Sequence, residues 1–179
     1  MRKERVRRTL ALVLVVCAAG ASLAEGAGSS RRFNRGGVSI IVPPRWHLTL
    51  RRVNGVFDPV TVFTVSTFQL RSATASRGIC SRALQRAWRP DGAYVQLAEE
   101  RDGASRRRML HRVPQRPKHF RLDAKRGGGL CTPPDSGELI FQEKGRAFYI
   151  FYGFGRSASH ASRAAAVRML EQMQIAPQR

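Results

Sequence analysis

The sequence lacks every short motif that would indicate a catalytic or cofactor site. It contains no G-x-S-x-G nucleophile elbow, no G-x-x-x-x-G-K-[ST] phosphate loop and no H-E-x-x-H zinc pair. His111 and His119 are eight residues apart across two prolines, a spacing that carries little information about a metal site. Glu99 and Glu100 are adjacent in a predicted strand, so their side chains point to opposite faces. We therefore expect no metal and no cofactor, and we favour a non-catalytic protein.

A hydrophobic run long enough to span a membrane is also missing. The longest apolar segment, 9–24, has 16 residues, whereas a membrane-spanning helix needs about 20. Basic residues precede this segment, and Ser22-Leu23-Ala24 ends it with a small-x-small cleavage motif. Residues 1–24 are therefore predicted to be a cleaved signal peptide, which implies a secreted or envelope-associated, extracytoplasmic protein. A retained membrane anchor is the alternative.

Cysteine is scarce, with three residues in the whole chain. Cys17 would leave with the signal peptide, so Cys80 and Cys131 remain as an even pair in an oxidising compartment. We predict one disulfide between them, which would close a loop of about 50 residues and stabilise the fold by roughly 4 kcal/mol. The alternative is Cys80 as a catalytic nucleophile, which would need a partner base; none of the four histidines lies in a recognisable context.

Acidic residues and lysine are scarce as well. The chain has 12 acidic residues against 32 basic ones, of which four are lysines, and its net charge is +20. Loss of the signal peptide would leave about +16. This excess predicts salt-sensitive attraction to anionic polymers, anionic membranes or nucleic acid. GC-rich coding would give the same arginine-dominated excess without any selected ligand, so both interpretations stay open.

The basic residues are concentrated in segment 101–126. Pro114 and Pro117 forbid a continuous helix there, so we predict an extended loop or an edge segment. Its candidate anion-binding residues are Arg106, Arg107, Arg108, Arg112, Arg116 and Lys118. Nucleic acid is not favoured as the partner, because Phe120 is the one aromatic residue in the segment and export removes the protein from cytoplasmic DNA.

Composition and periodicity divide the chain after the predicted signal peptide into a tail and one domain. Segment 25–36 is rich in Gly, Ser and Ala and is predicted to be a flexible tail, followed by a single domain over 37–176. Two short apolar runs, 38–42 and 46–50, are separated by Pro43-Pro44 and predict a hairpin.

Further strands and two helices complete the predicted domain. Strands are predicted at 60–70, which should be central because it is apolar on both faces, at 94–100, and in a hairpin of 139–142 and 147–154 that turns at Gly145. Helical spacing appears at 80–88 and at 159–173, where Ser159 is a plausible N-cap. The pattern predicts an α+β fold: a mostly antiparallel sheet of five to seven strands, covered on one face by both helices.

The segment GVSIIVPPRW, residues 37–46, resembles the opening of PsbP/Mog1-like domains, with Arg45 where glycine is usual. The segments GICSRALQRAWRPDGAYVQLAEE and EKGRAFYIFYGFG resemble a set of uncharacterised exported actinobacterial proteins, and the likeness covers most of 37–175. The two cysteines recur in that set, so the resemblance also implies the disulfide between Cys80 and Cys131. It implies a fold and a compartment but no activity.

The sequence thus predicts an exported, non-catalytic basic module that binds an anionic envelope polymer or a membrane surface through segment 101–126. Two other functions stay open. One is a secreted hydrolase with an unrecognised site, which would show a deep cleft containing a titratable group of strongly perturbed pKa. The other is an accessory protein that binds another exported protein through an exposed face of the aromatic hairpin.

Overall fold

The structure is a computed structural model that describes residues 29–50, 59–70, 82–123 and 135–178. The predicted signal peptide, 1–24, lies outside the described residues. So do Cys80 and Cys131, and with them the predicted disulfide. In the described part of the chain, no helix is both long enough and apolar enough to cross a bilayer.

The described residues form an α+β fold with two mostly antiparallel sheets, which confirms the predicted class. The smaller sheet has the strand order β1-β2-β8, and these strands are β1 Arg31–Arg35, β2 Val38–Val42 and β8 Gln174–Ile175. The larger sheet has the order β3-β4-β5-β7-β6, and its strands are β3 His47–Thr49, β4 Val60–Ser66, β5 Ala93–Glu100, β6 Asp135–Glu143 and β7 Arg146–Phe154. The helices are α1 Arg82–Ala87, α2 Gly103–Leu110 and α3 His160–Glu171.

The centre of the larger sheet follows the predicted pattern closely. β4 is an internal strand, as its two apolar faces predicted, and every residue of β5 is buried. β6 and β7 form the predicted hairpin. Its two-residue turn places Lys144 at φ 51° and Gly145 at φ 74°, the left-handed conformation that matches the twist of the flanking strands.

The predicted hairpin between 38–42 and 46–50 is wrong. β2 pairs with β1 and β8, whereas β3 pairs with β4 in the other sheet. The turn at 43–46 therefore carries the chain from one sheet to the other. Two adjacent strands that belong to different sheets look like a hairpin in sequence, because the choice of partner is made by distant residues.

The predicted flexible tail is corrected where the structure describes it, because Arg31–Arg35 forms β1. This strand pairs with β2 across Gly36 and Gly37, both of which have positive φ, at 56° and 74°. Phe33 lies opposite Ile40 and packs against the main core. A half-buried aromatic side chain and a two-glycine turn thus anchor a strand whose other residues are polar and exposed.

The prediction that both helices cover one face of a single sheet is also wrong. Leu84 of α1 packs in a small cluster with Tyr94, while Leu170 of α3 packs in the main core with Val95. Tyr94 and Val95 are neighbours on β5, and successive side chains of a strand point to opposite faces. The two helices therefore lie on opposite sides of the larger sheet. The inner residues of β2 join α3 on the main-core side.

A buried arginine of the larger sheet contacts the smaller one. Arg146 of β7 is 3% exposed, and its Nε donates to Glu99 of β5 at 2.7 Å. Its other nitrogens donate to two backbone carbonyls outside the larger sheet, at Gly36 (2.7 Å) and Ala176 (3.2 Å). A Cβ atom at Gly37 would lie 2.9 Å from this guanidinium, so glycine is required there by space as well as by its φ.

We predict that Arg146→Lys lowers the free energy of unfolding by about 2–4 kcal/mol, because one ammonium cannot replace a planar fork that reaches three partners. Urea denaturation measures the loss. Arg101→Lys is the matched control: Arg101 contacts the same Glu99 carboxylate at 3.1 Å but is half exposed, so its change should stay below about 1 kcal/mol. Equal losses for the two variants would contradict the role assigned to the buried fork.

Candidate functional site

Helix α2 carries part of the predicted anion-binding segment, and it begins at a well-formed cap. The Asp102 carboxylate accepts a hydrogen bond from the Ser105 backbone N–H at 2.7 Å. The helix ends at Leu110, ahead of Pro114. The predicted extended loop is therefore wrong for 103–110, because the prolines restrict only the part of the segment that follows the helix.

The later part of the segment does form the predicted edge. The backbone of 114–116 runs beside β6, the outer strand of the larger sheet, through a parallel bridge between Gln115 and Gln142. The Gln142 N–H donates to the Pro114 carbonyl at 2.8 Å, and the Arg116 N–H donates to the Gln142 carbonyl at 2.9 Å. The described part of this segment thus contains a helix at 103–110 followed by an edge segment at 114–116.

We predict a pH dependence at the cap of α2. Hydrogen bonds from the Ser105 backbone and side chain lower the pKa of Asp102. A carboxyl whose pKa is lowered by folding stabilises the folded state above its unfolded pKa, and this contribution is lost as the pH falls through the folded pKa. The NMR shift of the Ser105 amide should therefore titrate at acid pH. In Asp102→Asn, which caps without titrating, that titration should vanish; its persistence would assign the shift to another group.

The structure divides the six predicted anion-binding residues among several environments. Arg106, Arg107 and Arg108 are consecutive on α2, where successive side chains diverge by about 100° and cannot share one direction. Arg106 donates to the Gln178 side chain at 2.6 Å, whereas Arg107 and Lys118 are exposed. Arg108 and Arg112 come together and line a hollow of about 340 Å³. The exposed pair at this hollow is the part of the predicted site that the fold assembles.

Arg116 is not available to a ligand, and its assignment to the anion-binding site is corrected. Its guanidinium donates to the backbone carbonyls of Leu170 (2.6 Å), Glu171 (3.0 Å) and Met173 (2.7 Å) at the end of α3. It also forms a salt bridge with Glu143 at 3.1 Å. Leu170 and Glu171 belong to the last turn of α3, where carbonyls lack i+4 partners within the helix, and Met173 follows the helix, so Arg116 caps this end of α3.

We predict that Arg116→Gln costs about 2–4 kcal/mol in the free energy of unfolding, because several carbonyls and one carboxylate lose their charged donor. Arg112→Gln removes the same charge from an exposed position and should change stability by no more than about 0.5 kcal/mol. Denaturant unfolding of the two variants makes the comparison. A mild effect of Arg116→Gln would return this residue to the candidate binding surface.

A larger groove lies elsewhere, and sequence reasoning did not find it. It has a volume of about 740 Å³ and is bordered by the turn at 43–46, by Arg89 and Asp91 after α1, and by the outer side of α3. We call it the arginine groove, because Arg45, Arg89 and Arg168 all line it. Its apolar lining includes Trp46 and Met169, both at least nine-tenths buried.

The turn at the rim of this groove places an arginine where glycine is preferred. The Trp46 N–H donates to the Pro43 carbonyl at 3.2 Å, and Arg45 has φ 65°. With Pro44 in the second position, this is the arrangement of a type II turn, whose third position favours glycine. A left-handed conformation costs a side-chain-bearing residue roughly 1–2 kcal/mol. In the sequence, the feature that concerns this groove was Arg45, which stands where glycine is usual in the domains that segment 37–46 resembles.

Tyr94 is the titratable group whose pKa departs most from its ordinary value in the described residues. Burial raises the pKa of Tyr94, which packs against Phe68, Leu84 and Trp88. Its hydroxyl donates to Gln96 at 2.7 Å, and Gln96 donates to Thr61 at 3.0 Å. Because Tyr94 is fully buried in an apolar cluster, its shifted pKa reflects packing and does not indicate a catalytic cleft.

Over 29–50, 59–70, 82–123 and 135–178, no three His, Cys, Asp or Glu side chains are grouped so that they could hold a metal ion. No protein-family model, curated protein or solved structure matches the sequence or the fold. The geometry therefore defines a class: an α+β protein whose described surface is rich in arginine and has arginine-lined hollows, among them the arginine groove and the hollow at Arg108 and Arg112.

Proposed function

We propose that the protein is an exported, non-catalytic basic module that binds an anionic polymer of the cell envelope. The observation that carries the proposal is the unequal use of charge. Three acidic side chains are engaged in contacts within the protein: Glu99 and Glu143 hold structural arginines, and Asp102 caps α2. Arg107, Arg108 and Arg112, by contrast, are exposed and form no salt bridge within the described part of the chain.

This distribution leaves a positive surface potential that internal pairing does not cancel. A polyanion that approaches such a surface exchanges its condensed counterions for arginines, which favours binding at low salt. Arginine adds geometric fit, because its planar fork donates two parallel hydrogen bonds to a phosphate or carboxylate. The predicted signal peptide supports an envelope polymer as the partner, since it would bring the protein to that compartment.

A polymer is favoured over a lipid bilayer by the scarcity of exposed apolar side chains. Leu50 and Ile140 are the large hydrophobic residues exposed in the described part of the chain, at 44% and 36%. Ile140, on β6, lines the hollow beside Arg108 and Arg112, whereas Leu50 follows β3 at the opposite edge of the larger sheet, so the two do not form one continuous apolar face. Proteins that lie in a membrane interface bury a continuous apolar face beside their basic residues.

The test is retention on immobilised poly(glycerol phosphate) over a salt series. We predict that the triple variant Arg107→Gln, Arg108→Gln, Arg112→Gln reduces the slope of log affinity against log salt by about two to three, since each lost phosphate contact contributes about 0.7–0.9. The matched control neutralises three exposed arginines on other segments, Arg31, Arg86 and Arg156. It should reduce the slope by less than one.

If the two triple variants changed the slope equally, binding would depend on net charge and not on a localised surface. Absence of retention at the lowest salt would contradict the proposal altogether. Vesicles that contain anionic lipid, presented at the same phosphate concentration, form the second arm. Tighter binding to the vesicles than to the polymer would assign the protein to the membrane surface.

A further inference from the structure

The arginine groove is independent of the α2 surface. None of its lining residues belongs to segment 101–126. Its volume of about 740 Å³ lies within the range of about 300–1,000 Å³ that is usual for small-molecule sites. It is open to solvent along α3, where Arg168 is exposed, and closed beneath by Trp46 and Met169.

The charge of the groove is unbalanced. Arg45 and Arg168 form no salt bridge among the described residues. Arg89 faces Asp91 at 3.3 Å, but both side chains are about two-thirds exposed, so this pair is weak and free to rearrange. Three guanidinium groups and one carboxylate therefore line the same space, which selects an anionic occupant.

The conformation of Arg45 provides a second, independent argument. At φ 65° this residue occupies the position of a type II turn where glycine carries no strain. Strain that persists at the rim of a groove is a reason to look for function there. An arginine at this position costs folding stability, and what it adds over glycine is a guanidinium at the groove.

The remaining lining fits an anion that carries a hydroxylated carbon body. Ser157, Ser159 and Ser162 contribute hydroxyl groups beside the arginines. The Ser159 hydroxyl accepts from the Ser162 N–H at 3.1 Å and lies 3.0 Å from the Ser162 hydroxyl, so these two hydroxyls are also engaged in the cap of α3. Trp46 and Ala165 supply apolar surface on which carbon atoms can pack.

We propose that the arginine groove binds one phosphodiester unit of the anionic polymer, with its phosphate between Arg45 and Arg168 and its carbon body over Trp46. Phosphate is favoured over carboxylate because its additional oxygens suit more than one guanidinium fork. The inference rests on the proposed function for the identity of the polymer. It adds a discrete site with its own geometry, distinct from the electrostatic surface of α2.

The test combines stability with binding. Arg45→Gly relieves the left-handed strain, so we expect its melting temperature to rise by about 2–4 °C. The same variant should bind a glycerol phosphate trimer about tenfold more weakly in titration calorimetry, because it loses one charged fork. Arg168→Gln should weaken trimer binding similarly without raising the melting temperature. Arg31→Gln, exposed on β1, is the matched control and should change neither measurement.

A variant Arg45→Gly that is more stable and binds the trimer normally would overturn the inference. So would inorganic phosphate that binds as tightly as the trimer, because the carbon body would then contribute nothing. If wild-type protein retains the polymer but ignores the trimer, the groove assignment fails and the proposed function stands. If it binds neither, both fail.

Discussion

The buried pair of Arg146 and Glu99 is the interaction on which the arrangement of the two sheets depends. Removing two charges from water is costly, and the attraction between them compensates only when their remaining hydrogen-bonding groups are also satisfied. Arg146 meets this condition with the carbonyls of Gly36, in the β1–β2 turn, and Ala176, after β8, two segments that meet at one end of the smaller sheet. The requirement to satisfy one guanidinium thereby fixes where the β1–β2 turn and the residues after β8 lie against the larger sheet.

Arg116 repeats the same principle at the end of α3. It joins the edge segment beside β6 to carbonyls at the end of the helix, because its guanidinium also donates several hydrogen bonds to backbone oxygens. A lysine has three donors on a single flexible ammonium and cannot match such divergent acceptors. Some of the arginines therefore have a structural role. Neither a ligand nor coding bias accounts for these buried contacts. Only the exposed arginines remain as candidates for binding.

Local patterns predicted the elements whose partners are close in sequence. A β-branched run that is apolar on both faces predicted β4, alternation predicted β5, and the turn at Gly145 predicted the β6–β7 hairpin. Helical spacing with a Ser159 cap predicted α3. Helix α2 was missed because three consecutive arginines occupy its middle and none of its residues is buried, so it carries no apolar stripe. The separation of β2 from β3, and the convergence of Arg45, Arg89 and Arg168, are set by pairings across the whole chain. No window of sequence contains that information.

The buried and the exposed arginines also differ in how strongly dissolved salt screens their charges. Arg146 acts in a medium of low effective dielectric constant, where mobile ions are excluded and its hydrogen bonds are strong. Arg107 and Arg112 face water, where charges more than about 8 Å apart are screened at physiological ionic strength. Arg45 lies between these limits, at the rim of a groove with a buried floor. A bound anion there would be attracted more strongly than on the open surface, because part of the screening solvent is displaced.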